Sequence, residues 1–314
     1  MARSKSPAAR GGRGKAGTPG TGSGGRAGRT ASPSKAVKRA SSSERQGGSK
    51  RSKALVALPF VDFAPVATWR DDMKVLSAMW FGKIAGESHQ DKLESFYKDQ
   101  AELYDGYRQR MLHARTPMMS RLMVQPDRKG KVVWVDLGGG TGANVEYMGD
   151  AIAAGWFEKV VVLDLTPSLC QVAEARAQAK WPKVMEVVCG DACDEKDTRL
   201  PAAGTCDIVT ISYALVMIPD WKAAVANALR LLRPGGHLCV CDFTLLPEKG
   251  QWEIAQRFWK ATFATDHVHL SVEHREHLKT VTAPVYEETG FGGLPYVPPF
   301  LRAGWYAYIG RKQL

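Results

Sequence analysis

The apolar positions of this chain follow two rhythms. From Lys131 onward, short uninterrupted apolar runs alternate with stretches in which apolar residues recur every three or four positions. The runs predict strands over 131–136, 160–165, 184–189, 206–212 and 236–242, and the stretches between them predict helices over 142–154, 168–179 and 220–232. None of these runs alternates in and out as a half-exposed strand would. A parallel sheet covered on both faces is therefore expected. LLRPGG, Leu231–Gly236, reads as a helix stop and a tight turn into the fifth strand.

The flanks are less regular. Helical spacing covers 71–84 and 90–112, where Leu93, Phe96, Tyr97, Ala101, Tyr104 and Arg108 share a stripe, and continues over 117–121. Residues 54–70 are apolar but broken by Pro59 and Pro65, so 54–89 is read as a linker followed by a helix. Beyond Phe243 an amphipathic helix is predicted over 251–264, carrying Trp252, Ile254, Phe258, Trp259 and Phe263. A charged segment, a stretch rich in Pro and Gly, and a final strand over Gly304–Gly310 complete the chain.

Charge divides the sequence sharply. Residues 1–53 hold 14 Lys or Arg and one acid, Glu44; the other 261 residues hold 29 basic and 31 acidic side chains. The net charge of +11 thus belongs to a tail of Gly, Ser, Ala and Arg without aromatic residues. Such a tail buries too little apolar surface to offset its ordering entropy and is expected to stay disordered. It reads as a solubilising or phosphorylatable tail, an organelle transit segment, or an anchor to anionic lipid or nucleic acid. The near-neutral remainder argues against specific nucleic-acid recognition by the domain. No run of 18 or more apolar residues occurs. The six scattered cysteines fit buried thiols in a reducing compartment, and no metal site is expected, since Cys189 and Cys193 lack a second pair or a nearby histidine.

The chemistry concentrates around VVWVDLGGGTGANVEYM, Val132–Met148. An apolar strand ends in Asp136, and Gly138, Gly139, Gly140, Thr141 and Gly142 allow the backbone a sharp turn and close approach to a ligand before Asn144 opens a helix. The next strand ends in Asp164, 28 residues after the first acid, with Leu165 behind it; such an acid suits a ribose diol. Asp191, followed by Ala192, closes the third strand. Three acids after three successive strands are hard to assign to packing, because unpaired carboxylates are rarely buried.

With these segments, CDIVTISYALVMIPD and LLRPGG, the chain resembles class I S-adenosylmethionine-dependent methyltransferases over residues 90–245. The resemblance implies a Rossmann-like α/β fold: a mostly parallel seven-stranded sheet with helices on both faces and an antiparallel C-terminal strand. It also implies S-adenosyl-L-methionine as cofactor, with Asp136 and the glycines around its methionine part. Asp164 would hold the ribose hydroxyls, Asp191 and Ala192 would bound the adenine, and Ser212 and Tyr213 would lie below the sulfonium.

FYKDQAELYDGYRQRML, LTPSLC, FWKATFATDHV and PYVPPFLRAGWYAYIGRK carry a narrower resemblance, over residues 90–312, to the methyltransferase half of betaine-lipid synthase. It implies threefold N-methylation of the amine of diacylglyceryl-homoserine, with 244–303 as an acceptor-side insertion in a domain spanning 90–314. An aminocarboxypropyl transferase would supply that lipid, either as a separate chain or as another part of a longer synthase of which this sequence is a fragment. The departures are His267, where an Arg is common, and His274 and His277, where a basic and an aromatic residue are common. The location implied is the cytoplasm or the periphery of the endoplasmic reticulum membrane, the tail permitting organelle targeting instead.

Tyr97, Tyr104 and Tyr213 are candidates for ring or hydroxyl contact with cofactor or amine, because aromatic faces suit a developing quaternary ammonium. Arg108 is a candidate carboxylate partner and His267, or its neighbour His269, an aid to proton removal. Plain helix packing also explains Tyr97 and Tyr104, and a solvated charged loop also explains the histidines. The helix with Trp252, Phe258, Trp259 and Phe263 either rests on a membrane surface or covers the sheet. Two other functions stay open: a methyltransferase for a phospholipid amine, quinone or sterol, and a non-catalytic scaffold with the same fold.

Overall fold

The computed structural model describes residues 54–63, 86–98, 105, 110–265, 270–293 and 298–313. The tail read over 1–53 and the helix read over 71–84 lie outside them.

Nine strands are found among the described residues. Strands β1 (Val56–Ala57) and β2 (Met123–Val124) form a short antiparallel pair. The others are β3 (Val132–Leu137), β4 (Phe157–Asp164), β5 (Met185–Cys189), β6 (Cys206–Ser212), β7 (Leu232–Thr244), β8 (Ala283–Gly292) and β9 (Ala303–Arg311). They form one sheet in the order β5-β4-β3-β6-β7-β9-β8. Neighbours from β5 to β7 are parallel, while β9 runs antiparallel to both β7 and β8. This is the Rossmann-like methyltransferase fold, with the antiparallel C-terminal strand.

Eight α-helices accompany the strands among the described residues: α1 (His89–Tyr97), α2 (Arg115–Met119), α3 (Ala143–Glu146), α4 (Gly149–Ala153), α5 (Pro167–Lys180), α6 (Trp221–Leu231), α7 (Glu253–Thr265) and α8 (Glu273–Val281). One apolar cluster, with Trp134, Val160, Val162, Ile208 and Cys239, fills one face of the sheet; another, with Val135, Val161, Val209, Leu238 and Leu278, fills the other. Alternate residues of each strand enter opposite clusters, the period-two geometry of a strand buried on both sides. Trp134 satisfies its buried indole by donating to Thr210 Oγ1 on β6 (2.8 Å).

The fold departs from the sequence expectations in four places. The linker region packs onto the domain: Leu58 is buried and its amide donates to Leu122 O (2.9 Å), while Phe60 stacks on Tyr147. The helix expected over 142–154 is two short helices separated at Tyr147–Met148. The stretch rich in Pro and Gly contains an edge strand, β8, and the charged segment contains α8. Residues 244–303 are therefore not wholly an insertion, because they supply one strand of the central sheet.

At the N-terminal ends of the parallel strands, the carboxylate of Asp207, 1% exposed, is held by two arginines. Arg128 donates from Nε (2.8 Å) and Nη2 (2.7 Å), Arg233 from Nε (2.6 Å), and Val133 N adds a fourth bond (3.0 Å). A buried carboxylate with every oxygen occupied clamps strands β3, β6 and β7 at the end opposite the cavity.

Candidate functional site

The C-terminal ends of β3, β4, β5 and β6 surround a cavity of about 300 Å³. Its position follows from topology: strand order reverses between β3 and β6, and the loops beyond the strand ends diverge there. The floor is the loop after β3. A Cβ on Gly139 would lie 2.7 Å from both Asp136 Oδ2 and Val162 Cγ1, and one on Gly138, which has φ 68°, would lie 2.4 Å from the Ala214 Cβ. Only glycine lets this backbone lie so low against its neighbours.

Asp164 ends β4 at the cavity wall. Its Oδ2 accepts from Gly140 N (2.8 Å) and its Oδ1 from Thr166 N (2.9 Å). Burial pushes its pKa above the ordinary carboxylate range, against those bonds. Asp191 lies across the cavity after β5 and fixes the local turn by accepting from Cys193 N (2.8 Å). Leu165, Ala192 and Ile218 line the cavity with them.

Ser212 ends β6 and Tyr213 follows it. Tyr213 has φ 54°, the one positive φ outside glycine among the described residues. A bulky side chain in the left-handed region is strained, and such strain persists where the surroundings over-determine it. Here Tyr213 N donates to Cys241 O (2.7 Å), its hydroxyl accepts from Ala114 N (2.8 Å), and its ring meets Phe243 edge-on at 4.8 Å. Burial raises the phenol pKa well above the ordinary value, so Tyr213 offers a ring and an O–H rather than a base.

Helix α1 closes one side. Ser88 caps it reciprocally with Asp91, Gln90 Nε2 donates to Leu165 O (3.1 Å), and Glu94 Oε2 accepts from Ser168 N (3.0 Å), capping α5 from outside. His89, Leu93 and Tyr97 thereby reach the cavity wall. Asp105 also lines it, accepting from Thr141 Oγ1 (2.6 Å) and pairing with Arg176 on α5.

Of the residues singled out in the sequence, Tyr97, Gly138, Gly139, Gly140, Thr141, Asp164, Leu165, Asp191, Ala192, Ser212 and Tyr213 meet at this one cavity. Asp136, Gly142 and Asn144 do not line it. Asp136 is fully buried beneath the glycine loop, accepting from Asn144 Nδ2 (2.8 and 3.1 Å) and Thr210 Oγ1, and burial raises its pKa to about 6. It holds the loop from below, and Gly142 serves as the left-handed cap of α3. Tyr104, Arg108 and His267 lie outside the described residues.

The reading of the sequence passed over Arg115. This side chain is only 9% exposed, lines the cavity, and donates from Nε to Ser212 Oγ (3.2 Å). Among the described residues no carboxylate pairs with it. Its signal was an arginine set among Met111, Leu112, Ala114, Met118 and Met119, all buried.

Residues 135–240 match the family model for a methyltransferase domain. The chain is 34% identical over 114 residues to a demethylmenaquinone methyltransferase of Thermobifida fusca, covering 36% of this chain and 44% of that protein. It is 32% identical over 158 residues to the enzyme of that name from Renibacterium salmoninarum, covering 49% and 60%. The chain thus spans about half the length of these relatives. Among solved structures, a Haemonchus contortus phosphoethanolamine N-methyltransferase 2 in complex with S-adenosyl-L-methionine superposes with a TM-score of 0.53 at 14% identity, covering 73% of this chain and 61% of that one.

Proposed function

We propose that this chain, whose residues 135–240 form a class I S-adenosylmethionine-dependent methyltransferase domain, methylates the amine of a diacylglyceryl-homoserine headgroup in betaine-lipid synthesis. The cavity fits the cofactor: a glycine floor that a single Cβ would obstruct, and acids after β4 and β5 spaced for a nucleoside. Bound there, S-adenosylmethionine supplies an activated methyl group on a sulfonium. Asp164 takes the ribose hydroxyls on the lone pairs left by Gly140 N and Thr166 N. Asp191, Ala192 and Ile218 bound the adenine, and Tyr97 and Tyr213 offer aromatic faces to the cationic centres, at about 0.5–2 kcal/mol each.

The structural observation that supports this reading is Arg115, a buried cation at a tyrosine-walled cavity without a carboxylate partner among the described residues. A ligand carboxylate satisfies it, and both the methionine part of the cofactor and a homoserine headgroup bear one. The narrower sequence resemblance favours the headgroup and implies an aminocarboxypropyl transferase activity that assembles it. Methyl transfer to an amine is an in-line displacement in which positioning and placed charge supply much of the help.

A quinone ring as acceptor is the second reading, favoured by the names of the relatives at 32–34% identity. The two separate in one assay: purified full-length chain, S-adenosylmethionine, and either short-chain diacylglyceryl-homoserine or a demethylated menaquinone, with products read by mass spectrometry. Mono-, di- and trimethylated headgroup is the expected outcome. Methylation of the quinone alone replaces this reading with the second.

A further inference from the structure

The three most exposed large apolar side chains among the described residues are Trp252 (64%), Ile254 (62%) and Phe300 (55%). They belong to two segments bonded to each other. Gln251 Nε2 donates to Arg302 O (3.3 Å), and Trp259 Nε1 on α7 donates to Leu301 O (2.8 Å). Helix α7 turns Ala255 and Trp259 inward, where both are buried, so its packing requirement is met without Trp252 or Ile254. Large apolar groups left together on a surface mark an interaction site.

Topology places this face. β7 ends with Thr244 opposite Gly304, at the start of β9, and Gly292, at the end of β8, pairs with Ala303. Residues 245–260 and 298–302 therefore leave the sheet at the same end as the cavity-lining loops after β3, β4, β5 and β6. Arg257, Lys260 and Arg302, in the same two segments, are exposed. The nearby acids are already engaged, Glu253 by Arg257 (2.7 Å) and Glu248 by Arg275 (3.0 Å).

We infer that this face docks on an anionic lipid bilayer. Trp252, Ile254 and Phe300 enter the boundary between headgroups and acyl chains, and Lys260 and Arg302 meet the lipid phosphates. Aromatic side chains flanked by long cations are what that boundary accommodates. Three side chains are too few for a stable protein interface, which buries about 800 Å² per partner. Docked so, the protein turns the cavity end of its sheet toward the layer that holds a lipid acceptor. The inference rests on the lipid reading only for its purpose, and docking is measured without methyl transfer.

The test is co-sedimentation of the full-length chain with phosphatidylcholine vesicles, with and without phosphatidylserine, at low and high salt. The N-terminal tail can bind by charge alone, a contribution that salt screens. The expected result is that replacing Trp252, Ile254 and Phe300 together with serine lowers partitioning at high salt about tenfold or more. Tryptophan quenching by brominated lipid is expected to lose a component in Trp252→Phe. Unchanged partitioning of the triple variant with unchanged quenching in Trp252→Phe overturns the inference. So does loss, in the triple variant, of a self-association seen in the wild type, which assigns the face to a second copy. Turnover of a monomeric short-chain acceptor stays at the wild-type level in the triple variant if docking alone is lost. Absence of that turnover in the wild type would instead overturn the proposed function.

Discussion

Arg115→Met separates ligand recognition from folding. The side chain is 9% exposed; among the described residues it makes one hydrogen bond, from Nε to Ser212 Oγ at 3.2 Å, and its guanidinium lies 6.0 Å from the centre of the Tyr213 ring. Removing it deletes a hydrogen bond from a charged donor, worth about 1.5–3 kcal/mol, but also relieves the desolvation of a buried guanidinium that forms no ion pair among the described residues. The two terms oppose each other, so the ligand-free protein should melt within a few degrees of wild type or slightly higher. Ligand binding should suffer far more. A charge-assisted bond to a carboxylate contributes about 1.5–3 kcal/mol, or roughly 10–150-fold in affinity. Calorimetry with S-adenosylmethionine and steady-state kinetics on the lipid acceptor then locate the carboxylate. A raised cofactor Kd assigns Arg115 to the methionine part; an unchanged Kd with a raised acceptor KM assigns it to the headgroup. If neither constant moves while the melting curve holds, the carboxylate role is refuted.

Three further outcomes follow from the geometry. Asp164→Asn should weaken S-adenosylmethionine binding about 10–100-fold and, because the amide can accept only one of the two backbone bonds, also cost about 1–3 kcal/mol of stability; calorimetry on the folded variant showing wild-type affinity would remove the ribose assignment. Asp207→Ala leaves Arg128 and Arg233 unpaired at the opposite end of the sheet and should lower stability by about 3–5 kcal/mol in urea titrations; folded protein should keep its cofactor affinity, and a parallel loss of binding would show that the two ends are coupled. His274 is buried against Trp221, its Nδ1 has no hydrogen-bond partner among the described residues, and burial lowers its pKa to about 4. The unfolded chain therefore binds the extra proton between about pH 6.5 and 4, so this residue lowers stability as pH falls through that window. Wild type should lose on the order of 2 kcal/mol more than His274→Leu between pH 7 and 4.5; parallel stability curves would show that His274 is not held neutral.

What was legible in the sequence tracks burial. The inner strands β3, β4, β6 and β7 are buried on both faces over their apolar runs, which are therefore continuous and announce themselves; β5, at one edge with Glu186 exposed, shows through Met185 and Val188, which are buried. β8 is paired on one side only, and its residues are mostly half-buried or exposed; with Pro284, Gly290 and Gly292 among them it resembles a loop. In α8 only His274 and Leu278 are buried, a stripe of two that charged neighbours conceal. The glycine loop and the acids after β4 and β5 were readable because their spacing reflects backbone geometry. Asp136 carries the same spacing but faces downward, to Asn144 and Thr210, and no pattern of residue types distinguishes an acid above a loop from one beneath it. Arg115 lies outside the tyrosine stripe that carries Arg108, among apolar residues whose pattern marks packing and not binding.

The most direct test of the account is lipid mass spectrometry of a host without betaine lipids, expressing this chain with and without an aminocarboxypropyl transferase. Trimethylated diacylglyceryl-homoserine found only when both are present is the predicted result. Accumulation of the unmethylated lipid, alongside soluble protein that binds S-adenosylmethionine, would contradict the acceptor and leave the methyltransferase domain in search of another.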